Sequence, residues 1–206
     1  MTTEVLAHEQ HHAGEITPGK RFAMNRLALW LFLLSETFLF GGILITRFYL
    51  WGATRPHLDQ VLGMSVTIVL LISSYFMYRA ETAIRHDDRG DFLRSIIVTI
   101  LLGTGFLVGV IGLEWRTAPV NLHTEGKDAM YGAVLFFMTG MHAFHVLTGI
   151  ILLAILAYRG YKGHFSSQKF WAVEAGAIYW HFVDVVWVFF FPALYLMGTP
   201  AGPLHH

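Results

Sequence analysis

One apolar stretch near the C-terminus, residues 170–195, limits what this chain can fold into. It is long enough to cross a bilayer, which takes about 20 apolar residues, yet it carries Glu174, His181 and Asp184. At about 100° per residue, these three side chains fall within an arc of roughly 80° on one side of a helix. Ionisable groups in hydrocarbon are costly unless they face protein, water or a partner charge. The stretch therefore predicts a transmembrane helix with one polar stripe directed into protein.

The composition places the chain in a membrane. Of its 206 residues, 55% are hydrophobic and only 14% are charged, whereas soluble domains carry about 25% charged residues. The formal net charge is zero, which excludes the strongly basic surface that nucleic-acid binding requires. Cysteine is absent, so the chain can form neither a disulfide nor a thiolate metal site. We therefore expect an integral membrane protein that has no nucleic-acid partner.

Five apolar segments are long enough to be transmembrane helices. They lie near residues 27–50, 61–78, 95–113, 130–158 and 171–197. These segments predict an all-α fold, an integral membrane bundle of five transmembrane helices. We assign residues 1–24 to a polar, histidine-rich cytoplasmic tail, residues 25–198 to the membrane domain and residues 199–206 to a short C-terminal tail. In the third segment, Gly105 and Gly109 have the small-residue spacing that lets helices approach closely.

The distribution of lysine and arginine predicts the orientation in the membrane. The N-terminal segment and the loops after the second and fourth helices together hold ten basic residues, and the opposite side holds four. Cytoplasmic loops carry the excess of positive charge. The N-terminus is therefore expected to be cytoplasmic and the C-terminus, after five crossings, periplasmic.

The N-terminal tail contains the pattern HEQHH at residues 8–12, which matches the zinc-protease motif H-E-x-x-H. That motif needs a helix in a folded cleft and a third metal ligand. Here it lies in a polar segment without apolar periodicity. We expect a solvated tail, in which histidines that titrate near neutral pH could collect protons.

Three motifs carry a resemblance to a known family. They are SETFLF at 35–40, GMHAFHVLTG at 140–149 and YWHFVDVVW at 179–187. In this order, they resemble the signatures of subunit III of the haem-copper respiratory oxidases, a family that includes cytochrome c oxidase subunit III and its quinol-oxidase counterparts. The resemblance extends over all five predicted helices, from about residue 22 to about residue 198. Larger members have seven helices, and this chain resembles the shorter bacterial form that lacks the first two.

The resemblance implies an accessory role in a proton-pumping oxidase of the bacterial inner membrane. Subunits III carry no haem and no copper, which are expected on partner subunits. They pack against the catalytic subunit I, hold phospholipid in a V-shaped cleft between helices, support proton uptake and protect subunit I from inactivation during turnover. By position, Glu36, His145 and Arg159 match family residues near the lipid head groups. The resemblance is compatible with either cytochrome c or quinol as electron donor, and with membership of a respiratory supercomplex.

The residues alone leave other interpretations open. A membrane haem protein would use His142, His145 or His181 as axial ligands, because imidazole is a common ligand. A transporter would be built around Glu36, His181 and Asp184, and it predicts inverted repeats, which the sequence does not clearly show.

The remaining interpretation of the buried polar residues is structural. Polar groups within a membrane must be satisfied inside the protein. We therefore expect His142, Glu174, His181 and Asp184 to form a structural hydrogen-bond network between helices. For Arg159, at the end of the fourth helix, we favour a bidentate phosphate clamp over a side chain that merely extends to the head groups.

Overall fold

The computed structural model of the chain describes residues 17–118 and 127–200, and this part folds into five long helices. All five are long and apolar enough to cross a membrane, which confirms the predicted all-α class. The helices are α1 (Pro18–Trp51), α2 (Gln60–Arg85), α3 (Arg89–Leu107), α4 (Lys127–Tyr161) and α5 (Trp171–Phe191).

The first helix begins earlier than its apolar segment indicates. It starts at Pro18, whose fixed φ and missing N–H suit the first turn of a helix. Lys20 and Arg21, which we expected in the tail, are therefore helical. The HEQHH pattern and most of the C-terminal tail, residues 201–206, lie outside the described residues.

The chain divides into two compact units, Met1–Phe38 and Leu39–His206, and the boundary falls inside α1. In the first unit, the hydroxyls of Ser35 and Thr37 donate hydrogen bonds to the backbone carbonyls of Phe32 and Leu33, at 2.7 and 2.8 Å respectively. Such bonds satisfy a hydroxyl within its own helix.

In the second unit, α2 packs on α3 and α5, while α4 packs on the same two helices. Trp180 of α5 lies at the centre of this arrangement. Its indole fills the space beside two glycines, since a Cβ on Gly103 of α3 or on Gly149 of α4 would come within 2.6 or 2.9 Å of the ring. Its Nε1 donates to Ser73 Oγ of α2 at 3.1 Å. One buried tryptophan therefore contacts three helices.

Short acidic caps begin α2 and α3. Asp59 Oδ1 accepts from the amides of Val61 and Leu62 at 2.9 and 3.1 Å, and Asp88 Oδ1 accepts from the amide of Asp91 at 2.9 Å. These bonds satisfy amides that have no partner inside the helix. They also fix the entry of each helix after its loop.

Both α3 and α5 end in wider π-helical turns. The first covers Val108–Glu114 and is followed by one α-helical turn at Trp115–Thr117. The second covers Pro192–Leu196, where a proline lacks the N–H that regular helix bonding needs. Beyond it, β2 (Thr199–Pro200) pairs in parallel with β1 (Thr54–Arg55), which ties the end of α5 to the loop after α1.

Candidate functional site

The contact between α2 and α5 carries a line of polar side chains. Ser74 Oγ lies 2.6 Å from His181 Nδ1, in a hydrogen bond between the helices. The Ser74 hydroxyl also interacts with the Asp184 carboxyl, although neither carboxyl oxygen has a partner of good geometry in residues 17–118 and 127–200. Asp184 is buried, while His181 and Ser74 are half-buried.

The same line continues toward the end of α2. Arg85 Nη2 lies 2.5 Å from Glu81 Oε1, and its guanidinium lies 4.7 Å above the centre of the Phe170 ring. Glu174 lies close enough to Arg85, and Glu81 close enough to His181, for electrostatic interaction. We refer to this line as the polar seam; its members are Ser74, Glu81, Glu174, His181 and Asp184.

His142 does not join the polar seam. It is fully buried on α4, with ring-centre distances of 6.5 Å to Phe40, 5.5 Å to Phe106, 4.9 Å to Trp187 and 6.2 Å to Phe190. Neither ring nitrogen has a hydrogen-bond partner within the described part of the chain. Four aromatic rings therefore surround this imidazole, and they leave little room for a flat cofactor beside it.

His145 is held one turn further along α4. Its Nδ1 lies 2.8 Å from the carbonyl oxygen of Met141, and its ring centre lies 4.8 Å from that of Phe40. Tyr179 of α5 donates to the His145 carbonyl at 3.2 Å, and its hydroxyl also lies 2.9 Å from the Thr148 hydroxyl. The position is only 7% exposed, so its imidazole belongs to the packing of α1, α4 and α5.

Arg159 lies far from His145 on the same helix. At 1.5 Å per residue the two are about 21 Å apart along the axis, so one head group cannot contact both. The Arg159 side chain is exposed, and its guanidinium lies 5.8 Å from the centre of the Phe165 ring. No hydrogen bond joins the guanidinium to another described residue, so its N–H groups can donate to an external anion.

Glu36 belongs to the other unit of the chain. It lies within α1 between Ser35 and Thr37, and its side chain is partly exposed. The structure places it on an apolar helix that is long enough to cross the membrane.

A metal centre has no ligand set in the described ranges. There, no three histidine or acidic side chains come together at a distance suitable for one ion. His142 and His145, although three residues apart, have separate surroundings made of aromatic rings and a backbone carbonyl.

A buried arginine near the end of α1 anchors the end of α5. Arg47 is 1% exposed. Its Nε and Nη2 donate at 2.6 Å to the carbonyls of Ala193 and Met197, and Nη1 donates to the carbonyl of Gly52 at 3.1 Å. The sequence signal for this role is that Arg47 is the single Lys or Arg within the apolar segment 27–50.

Glu114, the last residue of the first π-helical turn, is also buried. Tyr195 donates a short hydrogen bond to its Oε1, and the tyrosine ring packs against Gly63 of α2. This bond joins the two π-helical turns. We call Arg47, Glu114 and Tyr195 the α5 anchor.

Among the described residues, the cavities of the second unit include a polar one and an apolar one. One, of about 710 Å³, borders the α5 anchor and is lined by His57, Leu58, Asp59, Leu62, Leu113, Glu114, Thr117 and Ala118. The other, of about 320 Å³, is an apolar groove between α1 and α4, lined by Ile43, Thr46, Leu50, Ala133, Val134, Phe137 and Met138. The second has the lining of a site for an aliphatic chain.

Comparison with known proteins places this arrangement in one family. The family model of cytochrome c oxidase subunit III matches residues 3–199. The cytochrome c oxidase subunit 3 of Gadus morhua is 33% identical over 202 residues, which cover 92% of this chain and 74% of the relative. The corresponding subunits of Oncorhynchus clarkii and Tragelaphus imberbis are 32% and 31% identical over the same shares.

Proposed function

Because the chain belongs to the cytochrome c oxidase subunit III family, we propose that it serves as the non-catalytic subunit III of a bacterial proton-pumping haem-copper oxidase. Membership confirms the resemblance of the three sequence motifs and makes the chain a multi-pass subunit of an oxidoreductase complex. The match over almost the whole chain carries the proposal.

The surroundings of the histidines support an accessory role. A catalytic or electron-transfer subunit needs imidazoles that are free to bind haem iron or copper. His142 is packed among aromatic rings, His145 is directed to a backbone carbonyl, and His181 is bonded to Ser74. We propose that haem and copper are bound by partner subunits, that this chain packs on catalytic subunit I, and that it binds phospholipid.

We assign different depths to the lipid contacts. Arg159 presents an exposed guanidinium at a helix end, and such a group binds phosphate in a bidentate manner. His145, about 21 Å further along α4, would then contact acyl chains or support the wall against which they pack. The apolar groove between α1 and α4 offers room for an aliphatic chain.

The remaining parts of the proposal concern proton uptake and orientation. Glu36 is a carboxyl group on an apolar helix, a placement that is costly without a function. We propose that it borders bound lipid and supports proton entry into the catalytic subunit. The excess of basic residues near the N-terminus and in two loops favours a cytoplasmic N-terminus and a periplasmic C-terminus in the bacterial inner membrane.

The test of the accessory role is an affinity purification of the chain in mild detergent, followed by a reduced-minus-oxidised visible spectrum. The spectrum is repeated after the subunits are dissociated. We expect the haem bands to follow a larger partner and to leave this chain colourless. Haem that stays with the isolated chain in a fixed ratio would instead make His142, His145 or His181 ligands and would refute the proposal.

The lipid and proton assignments predict the behaviour of one double variant. Glu36→Gln should leave assembly and initial oxygen reduction intact, because the chemistry lies on other subunits. Adding Arg159→Ala should lower the phospholipid that co-purifies, measured by mass spectrometry, and shorten the active lifetime in turnover. Lys162→Ala is the matched control, since Lys162 is also exposed and stacks on an aromatic ring, Tyr158, at 4.6 Å. Immediate loss of haem from the Glu36→Gln complex would contradict these roles.

A further inference from the structure

Two outward surfaces of the second unit differ in chemistry. The exposed face of α4 is apolar, with Phe137, Phe144, Ile151 and Ile155 each more than half exposed. The polar seam between α2 and α5 instead presents half-buried Ser74, Glu81, Glu174 and His181. The first surface suits lipid chains, and the second does not.

The depth of His181 makes this contrast informative. It lies about 15 Å along α5 from Trp171 at 1.5 Å per residue, which is near the middle of a hydrocarbon core about 30 Å thick. Lipid chains offer no hydrogen-bonding group at that depth. A half-exposed imidazole there is therefore expected to face another protein surface.

On its exposed side, the seam leaves one ring nitrogen of His181 to be satisfied. His181 Nδ1 is bonded to Ser74, and Nε2 has no partner in the part of the chain that the structure describes. Behind it, the Asp184 carboxyl is buried, and neither of its oxygens has a hydrogen-bond partner of good geometry among the described residues. The seam therefore lacks one hydrogen-bonding partner on its outer side.

Two exposed residues near His181 are valines, which are smaller than the exposed phenylalanines of α4, although Phe189, one turn beyond Val185, is 61% exposed. Val185 and Val188 are 53% and 45% exposed, and they follow His181 on the same side of α5. Compact side chains let a second helix approach a polar group closely enough for a hydrogen bond. The exposed face of α4 carries large phenylalanines at its centre instead.

We infer that the polar seam is the surface on which a transmembrane helix of another oxidase subunit packs, and that this helix places a hydroxyl, amide or carboxyl side chain against His181 Nε2. The inference rests on the proposed function, because it needs the chain to work inside a complex. It assigns the contact to α2 and α5 and leaves the exposed face of α4 to lipid.

Photo-crosslinking in the intact complex tests the location. A benzophenone amino acid is placed at Val185 on the seam or at Ile151 on α4, two positions that are equally exposed at 53%. We expect the probe at Val185 to form an adduct with another oxidase subunit and the probe at Ile151 to react with lipid, as identified by mass spectrometry.

The other outcomes separate the two claims. If the probe at Val185 forms adducts with lipid alone, or with a second copy of this chain, the inference is overturned. The proposed function still stands in that case, provided that a haem subunit co-purifies with the chain. An equally strong protein adduct at Ile151 would also overturn it, because the seam would no longer be distinguished. Failure of any haem subunit to co-purify would overturn the proposed function and, with it, the inference.

Substitution at His181 tests the hydrogen bond itself. His181→Leu should lower the detergent concentration at which the chain dissociates from the haem subunit, and His181→Gln should restore much of that resistance because it keeps a donor and an acceptor. Equal dissociation of the wild type and both variants would overturn the hydrogen-bond assignment. The crosslinking result does not depend on either variant.

Discussion

The α5 anchor and the polar seam place ionisable side chains in equally apolar surroundings, but they satisfy them differently. In the anchor, Arg47 donates to three backbone carbonyls and Glu114 accepts from Tyr195. In the seam, His181 has one partner, and the Asp184 oxygens have none of good geometry among the described residues. Each nitrogen of Arg47 therefore has a partner inside the chain, and Glu114 Oε1 has one as well, although Glu114 Oε2 has none among the described residues. Within the same residues, the exposed side of the seam lacks such a partner for His181 Nε2.

This difference indicates what each region contributes. A buried arginine that donates to backbone carbonyls of the same chain holds the fold together, since removing it leaves those carbonyls without a donor. A polar group that is half-buried and partly satisfied costs the isolated chain free energy in a membrane. A half-buried polar group of this kind is expected where a partner protein supplies its missing hydrogen bond. The anchor therefore contributes to folding, and the seam contributes to assembly with a partner.

The largest effect is expected when the anchor is broken. Arg47→Leu removes the donors to the carbonyls of Gly52, Ala193 and Met197. Since a hydrogen bond that involves a charged group contributes about 1.5–3 kcal/mol, the unfolding free energy should fall by about 3 kcal/mol or more. Thermal unfolding in detergent, followed by tryptophan fluorescence, measures it. Arg116→Leu is the control, because Arg116 is exposed. Equal melting temperatures for the two variants would show that the anchor does not hold α5.

Helix positions could be predicted from the sequence because the signal for them is local. The length and hydrophobicity of each apolar segment predict its helix without reference to the rest of the chain. Each of the five predicted segments corresponds to one of the five long helices. The ends were less accurate. The start of α1 at Pro18 depends on a proline, and apolar periodicity carries no information about that position.

The anchor could not be predicted because its partners are distant along the chain. Arg47 and Ala193 are 146 residues apart, and Tyr195 and Glu114 are 81 residues apart. Arg47 and Glu114 each lie near the end of an apolar segment, where a single charged side chain usually extends to the membrane interface. His142 shows the same limit, since its cage of rings comes from α1, α3 and α5.

A second prediction tests how tightly α3 packs near the anchor. Gly105 and Gly109 have different surroundings in the folded chain. A Cβ on Gly109 would lie 2.5 Å from Val66 Cγ1, whereas a Cβ on Gly105 would have no neighbour within 4 Å. Gly109→Ala should cost about 1–3 kcal/mol through overpacking. Gly105→Ala should be neutral or slightly stabilising, because alanine favours a helix over glycine. Unchanged melting temperatures for both would mean that α2 can yield at this contact.

A third prediction compares an interior hydrogen bond with a seam hydrogen bond. In the wild type, the fully buried Trp187 donates from Nε1 to Thr67 Oγ1 at 2.9 Å. Thr67→Val removes this acceptor and should lower the unfolding free energy by about 1 kcal/mol or more. Ser74→Ala removes the partner of the half-buried His181 and should cost the chain's own fold less than about 1 kcal/mol. Unfolding of the two variants side by side measures the difference. A larger loss from Ser74→Ala would place the seam among the elements that hold the fold.

The smallest change in stability is expected at an exposed polar contact outside the helices. This contact belongs neither to the α5 anchor nor to the polar seam. Asp87 Oδ1 accepts from the Ser167 amide at 2.7 Å, joining the α2–α3 turn to the α4–α5 loop. Hydrogen bonds from the Ser167 hydroxyl and amide hold the pKa of Asp87 below its usual value. The stabilisation is therefore complete above the unfolded pKa of about 3.9 and is lost as the pH falls through the lower folded pKa.

The matched variant for this contact is Asp87→Asn, because asparagine also tolerates the positive φ of 58° at this position. The difference in melting temperature between wild type and variant should be constant above about pH 5 and should shrink toward zero below about pH 4. A difference that grew with acidification would mean that the folded state raises the pKa of Asp87. The same scan should leave the Arg47→Leu difference unchanged, because a guanidinium bonded to backbone carbonyls does not titrate in this range.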